Sequence, residues 1–153
     1  MDAADAGLKF PVLGFTRDEG MWGFEDLNTL TSCGPLSVKE ATQVGMELVD
    51  AKGRRWVVTA MRRVGRGEPL LLWLLSCVLS TRQSRVELQL DPLEPVTLDE
   101  VKARAVRALE IEDEDSEEDF REEHLYPLLA KVRAAKSVSG VFRLVLPDSF
   151  MAY

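Results

Sequence analysis

Ten of the fourteen residues at positions 110–123 are acidic, and Arg121 is the one cation among them. The acids are Glu110, Glu112, Asp113, Glu114, Asp115, Glu117, Glu118, Asp119, Glu122 and Glu123. Ten acids less Arg121 leave nine negative charges, more than the net −7 of the whole chain. Carboxylates at this density repel one another, so the block stays solvated or meets a cationic partner. Any fold of this chain must therefore carry it at the surface. Three readings fit: a solvated helix start and loop, a docking surface for a basic protein, or a weak divalent-cation site.

The rest of the composition narrows the class. A chain of 153 residues, 46% of them hydrophobic, fills one core, so a single domain over residues 1–153 is expected. A pI near 4.8 argues against nucleic acid or an anionic membrane surface as partner, because both require an excess of Lys and Arg. Cys33 and Cys77 fit no metal spacing, and two thiols suggest a reducing compartment. The opening MDAADAGLKF has no basic n-region and no apolar h-region. The apolar run over residues 70–79 is about half a membrane span. A cytoplasmic protein is expected.

Periodicity supplies the elements. Residues 1–7 read as a frayed start. Residues 9–15 read as a strand interrupted by Pro11, hence at a sheet edge. Residues 14–34 mix glycines with Trp22, Phe24 and Leu27 and read as an irregular loop with one helical turn. Residues 45–63 read as a β-hairpin around Asp50-Ala51-Lys52-Gly53, with glycine placed for a positive φ. Met46 and Leu48 share one face of it; Trp56, Val58 and Ala60 share the facing one. The run LLLWLLSCVL could be a buried strand, but its length and scarcity of β-branched residues favour a buried helix. In SRVELQLD, Val86, Leu88 and Leu90 alternate with polar residues, as a half-buried strand requires.

The last third is helical. Thr97 and Glu100 form a capping-box pattern, and Leu98, Val101, Ala105, Ala108 and Leu109 form an apolar stripe. Ser116 and Asp119 make a further box, and Pro127 kinks or restarts the helix that carries Leu125, Leu128, Leu129, Val132 and Ala135. VFRLVL fits a strand or a short helix, and residues 147–153 read as a tail. The expected fold is α+β: a small antiparallel sheet of three to four strands, covered on one face by C-terminal helices.

Residues suited to catalysis are sparse. His124 is the one histidine, and positions three or four residues away hold Phe120, Arg121, Pro127 and Leu128, no set of metal ligands. Cys33 lies in a small-residue turn, and His124 would have to serve as its base for nucleophilic catalysis. The glycines match neither phosphate-binding nor dinucleotide spacing. No catalytic, cofactor or metal site is assigned. Six cations and no acid occupy residues 52–67: Lys52, Arg54, Arg55, Arg62, Arg63 and Arg66. The chain is thus bipolar in charge. The two regions either face each other within the fold or are separately solvated.

The segments KFPVLGFTRDEGMWGFEDLNTLTSCG, GMELVDAKGRRWVV, TLDEVKARAVRAL and LLAKVRAAKSV are, in their layout, similar to a group of small bacterial immunity-type proteins that accompany polymorphic toxins. The resemblance spans nearly the whole chain and implies a cytoplasmic inhibitor of one cognate toxin. The acidic surface would act by stoichiometric binding to a basic partner. Its candidate residues are Glu112, Asp113, Glu114, Asp115, Glu117, Glu118 and Asp119, with Trp22 and Phe24 as exposed aromatic anchors. The alternatives are a small enzyme using Cys33 as nucleophile, and an adaptor or chaperone for a basic effector.

Overall fold

The short apolar segments VLGF and MWGF, each with one glycine, form two short strands, β1 (Val12–Phe15) and β2 (Met21–Phe24), paired antiparallel. The computed structural model describes residues 1–34, 39–66, 71 and 84–149. After β2, Asp26 caps a single helical turn, α1 (Leu27–Leu30). Its carboxylate accepts the Thr29 N–H at 2.7 Å while Thr29 Oγ1 accepts the Asp26 N–H at 3.1 Å. The Thr29 amide holds the Asp26 carboxyl below its usual range. Strands β3 (Ser32–Cys33), β4 (Glu47–Asp50), β5 (Arg55–Arg66) and β6 (Ser84–Leu93) complete one antiparallel sheet in the order β2-β1-β4-β5-β6-β3.

The period of two assigns each strand residue to one of two cores. Leu13, Phe15 and Val49 point to one side, and Val12, Leu48, Trp56, Val58, Val86, Leu88 and Leu90 to the other. Phe24 from one end of the sheet and Cys33 from the other share that second core, so the sheet curls around it. The first core is closed by helices: α2 (Leu98–Glu112), a short α3 (Glu118–Phe120), a π-helical turn (Arg121–Leu125), α4 (Tyr126–Ala134) and α5 (Val138–Ser149). Val101, Ala105, Leu109, Leu129, Val132, Phe142 and Val145 supply most of their buried side.

The α+β class and the helical cover agree with expectation, while the sheet is larger: six strands rather than three to four. The additional strands, β2 and β3, lie where the composition suggests an irregular loop. Each is so short that its pairing partners, not its own pattern, define it. Pro11 precedes β1 rather than interrupting it, and β1 is an interior strand between β2 and β4. Residues 1–7 are not frayed. Ala3 N donates to Leu88 O at 2.9 Å, Leu90 N donates to Met1 O at 2.7 Å, and the Ala3 side chain is buried. A bulge between Val58 and Ala60 reverses the alternation, leaving Ala60 exposed and placing Met61 against the inner core. VFRLVL is helical and buries Val141, Phe142, Val145 and Leu146, and α5 runs through Ser149, into the expected tail. The apolar run LLLWLLSCVL lies outside the described residues except for exposed Leu71.

The turn between β4 and β5 is built on a buried acid. The Asp50 side chain is 0% exposed. It accepts the N–H groups of Lys9 (3.2 Å), Lys52 (2.9 Å) and Arg54 (3.0 Å), and pairs with the Arg54 guanidinium at 2.6 Å. Gly53 at φ +78° lets the chain return into β5. Arg54 also donates to Gly7 O at 2.7 Å, which ties the N-terminal segment to the same carboxylate. Replacing Asp50 by alanine strands these donors. Asp50→Ala should therefore cost about 3 kcal/mol in urea unfolding, with Asp50→Asn costing less. A loss under about 1 kcal/mol would show that the carboxylate does not hold this turn.

Candidate functional site

Helix α2 begins with charges that suit its dipole and ends with charges that do not. Thr97 Oγ1 accepts the Glu100 N–H at 3.2 Å, and Asp99 and Glu100 occupy the positive end. The Glu100 carboxylate pairs with Arg55 at 3.3 Å. At the far end the last turn contains no basic residue, and Glu110, Glu112 and Asp113 meet the negative end of the dipole. Arg121, the cation within the acidic block, reaches back to this end. Its Nε donates to Asp113 O at 3.0 Å, and its Nη2 donates to Glu114 O. The block is thus folded around a turn whose main-chain carbonyls Arg121 satisfies.

Local bonds order the side chains that follow. Ser116 Oγ donates to Asp113 Oδ1 at 3.2 Å, so Ser116 is bonded backwards and does not cap α3, whose N-cap is Glu117. Tyr126 donates its hydroxyl to Glu118 Oε1 at 2.9 Å, and that bond holds the phenol above its usual pKa. The π turn precedes Pro127, which falls in the first turn of α4, where its missing N–H is tolerated. Of the seven predicted acidic site residues, Glu112, Glu114, Asp115, Glu117, Glu118 and Asp119 are exposed, and Asp113 is half-buried.

A cavity of about 160 Å³ opens between the end of α2 and the π turn, lined by Leu109, Glu112, Asp113, Phe120, His124, Leu125 and Leu128. The Phe120 and His124 rings lie 4.7 Å apart, tilted by 52°. Phe120 is 46% and Tyr126 45% exposed. The acidic face therefore carries its own aromatic side chains. The predicted anchors Trp22 and Phe24 lie elsewhere: Phe24 is 4% exposed in the inner core, and Trp22 is half-buried against it. Both belong to β2, and pairing with β1 turns Phe24 inward. Phe120 carries no periodic signal among its acidic neighbours, and only its position beside the π turn makes it an aromatic on this face.

Among the described residues, no ion pair of the basic hairpin reaches the acidic block. Arg54 pairs with Asp50, Arg55 with Glu47 and Glu100, and Arg62 with Glu87. None of these acids lies in residues 110–123. Arg62 and Glu87 are directly opposed in the β5–β6 register, a pairing visible only once that register is known. A second cavity, of about 270 Å³, lies beside Phe15, Glu19, Ala103, Arg104 and Arg107. Its arginines pair with acids, Arg104 with Glu47 at 2.7 Å and Arg107 with Glu19 at 3.3 Å.

Cys33 and His124 are not assembled as nucleophile and base. Cys33 sits in the inner core and burial pushes its thiol pKa up, the opposite of an activated nucleophile. His124 lies on the helical side with Phe120 and Leu109. Among the described residues no three His, Cys, Asp or Glu side chains converge to hold a metal ion. None of the described helices is long and apolar enough to cross a membrane. In a Cys77→Ser background, Cys33 should react with iodoacetamide at neutral pH at least about tenfold more slowly than free cysteine. The rate should recover in urea. Fast labelling of the folded chain would restore the nucleophile reading.

Comparison with known proteins found no family model, no curated protein and no solved structure that matches this chain.

Proposed function

We propose that the chain acts by stoichiometric binding, as an immunity-type protein whose acidic helix end docks a basic partner, a cognate bacterial toxin. One observation carries this reading. Six exposed carboxylates from Glu112 to Asp119 are displayed on a hydrogen-bonded turn between two helices, while the described cations of the hairpin that form ion pairs do so with other acids. Arg133 pairs with Glu110 and Arg121 with the turn carbonyls, and the excess of carboxylates that remains attracts a positively charged surface and speeds encounter. Charge alone selects partners more than it adds affinity, and the exposed Phe120 and Tyr126 supply apolar area for a buried centre. The layout resemblance points to a toxin rather than another basic protein as the partner. An adaptor for a basic effector would use the same surface and would leave the bound partner active.

The test pairs growth with kinetics. The product of the neighbouring gene is expressed in a heterologous bacterium with and without this chain. Rescue of growth is expected, and a harmless neighbour, or killing that continues regardless, sinks the toxin reading. A chain carrying Glu114→Gln, Asp115→Asn, Glu117→Gln and Asp119→Asn should associate with that partner about tenfold more slowly at low salt, with a flatter salt dependence. Association as fast as that of the parent chain would show that the acidic block is only a solvated surface.

A further inference from the structure

The two strands of the central hairpin differ in length, and the difference leaves an edge. β4 pairs with β5 over Arg55–Val57, and main-chain bonds on that side extend to Val58. There Gly45 N donates to Val58 O at 2.7 Å, and Val58 N donates to Met46 O at 2.9 Å. β5 itself continues to Arg66, paired on its other side with β6 as far as Ser84. Among the described residues, no strand pairs with the β4 side of β5 beyond Val58. An edge of this kind offers its main-chain N–H and C=O groups to an incoming chain. Two bulges, between Val58 and Ala60 and between Arg63 and Gly65, bound its regular stretch, Ala60–Arg63.

The side chains of this stretch set the charge of the segment it suits. Residues 52–67 hold no acid, and Arg62 and Arg63 are both exposed. Arg62 pairs with Glu87, directly opposite it on β6, whereas Arg63 has no ion pair among the described residues. A second copy of this chain is a poor occupant. Edge-to-edge pairing would crowd the arginines of both copies along one seam, with no acid on either edge. An extended chain that carries acids meets the same arginines with opposite charge. We propose that the Ala60–Arg63 edge of β5 accepts an extended acidic segment of a partner protein as an added strand. Its main chain bonds to β5, which supplies attachment, and its carboxylates face Arg62 and Arg63, which select the sequence. The inference does not rest on the docking reading above, since residues 110–123 take no part in it.

The probes are three fluorescein-labelled peptides titrated by anisotropy against the full chain. The first is Gly-Thr-Val-Glu-Glu-Val-Thr-amide, and the second carries Gln-Gln in place of Glu-Glu. The third is the first peptide methylated on every main-chain nitrogen, which keeps the charge but removes the donors of a ladder. The first should bind at least about threefold more tightly than the second, and the third should lose most of the binding. Amide exchange at residues 59–64 should slow when the first peptide is bound. Arg63→Gln, at an exposed position, should reduce the preference for Glu over Gln. Equal affinity for the first two peptides overturns the proposal. Undiminished binding of the methylated peptide, or exchange protection confined to other segments, does so as well. A dimer of the chain that protects these same amides without peptide would assign the edge to a second copy and equally overturn it.

Discussion

A carboxylate withdrawn from water lies at the turn joining β4 to β5, and the centre of the sheet depends on how it is satisfied. Isolated in an apolar surrounding, the Asp50 charge would be strongly unfavourable. Here three main-chain amides and the Arg54 guanidinium surround it. One of those amides belongs to Lys9, and Arg54 extends to Gly7 O. The same acid therefore shapes the hairpin and draws the N-terminal segment beside it. Arg54 also lies over the Trp56 ring at 5.2 Å, which covers the rim of the inner core.

From that centre the sheet buries both faces, an arrangement that a short antiparallel sheet achieves only by curling. Its inner face closes on itself around Leu48, Leu88 and Leu90, and its outer face is covered by the helical layer around Phe142 and Val132. Edges are shortened accordingly. The long β6 is covered on one side by β5, and on the other by the two-residue β3 and the main chain of residues 1–3. Between the two layers, Glu47 on β4 accepts from Arg104 on α2, and Arg104 in turn lies over the Phe15 ring at 4.4 Å. A charged pair at the seam fixes how the helix sits across the strands.

The helical layer carries the one feature that stability alone would not select. Acids at the negative end of a helix are each unfavourable by about 0.3–1 kcal/mol, and α2 ends in several of them. Arg121 offsets part of this through the carbonyls of the turn. Arg133 pairs with Glu110 at 3.6 Å, and the exposed carboxylates stand beside a cavity with an apolar floor and next to the exposed ring of Phe120. The proposed docking surface would account for that combination of local cost and exposed aromatic area.

Elements whose side chains repeat over many residues are legible in the amino-acid sequence. The alternation of Val86, Leu88 and Leu90, the stripe from Leu98 to Leu109 and the turn at Gly53 each carry their own signal, because one face of each is buried along its length. The acidic block is legible as a surface for the same kind of reason: its charges cannot leave water. What stays hidden is decided by partners distant in sequence. Strands β2 and β3 exist because β1 and β6 offer them hydrogen bonds, and that pairing turns Phe24 inward, where it cannot serve as an exposed anchor. VFRLVL becomes a helix because its place in the fold lies against α2 and α4 rather than at a sheet edge. The sequence by itself thus determined which segments must be wet, which must be buried and where the chain turns. Tertiary structure alone decided which short segments pair, where the basic hairpin finds its acids, and that Phe24 turns into the inner core. Periodicity records burial along one element, whereas these choices depend on contacts between elements.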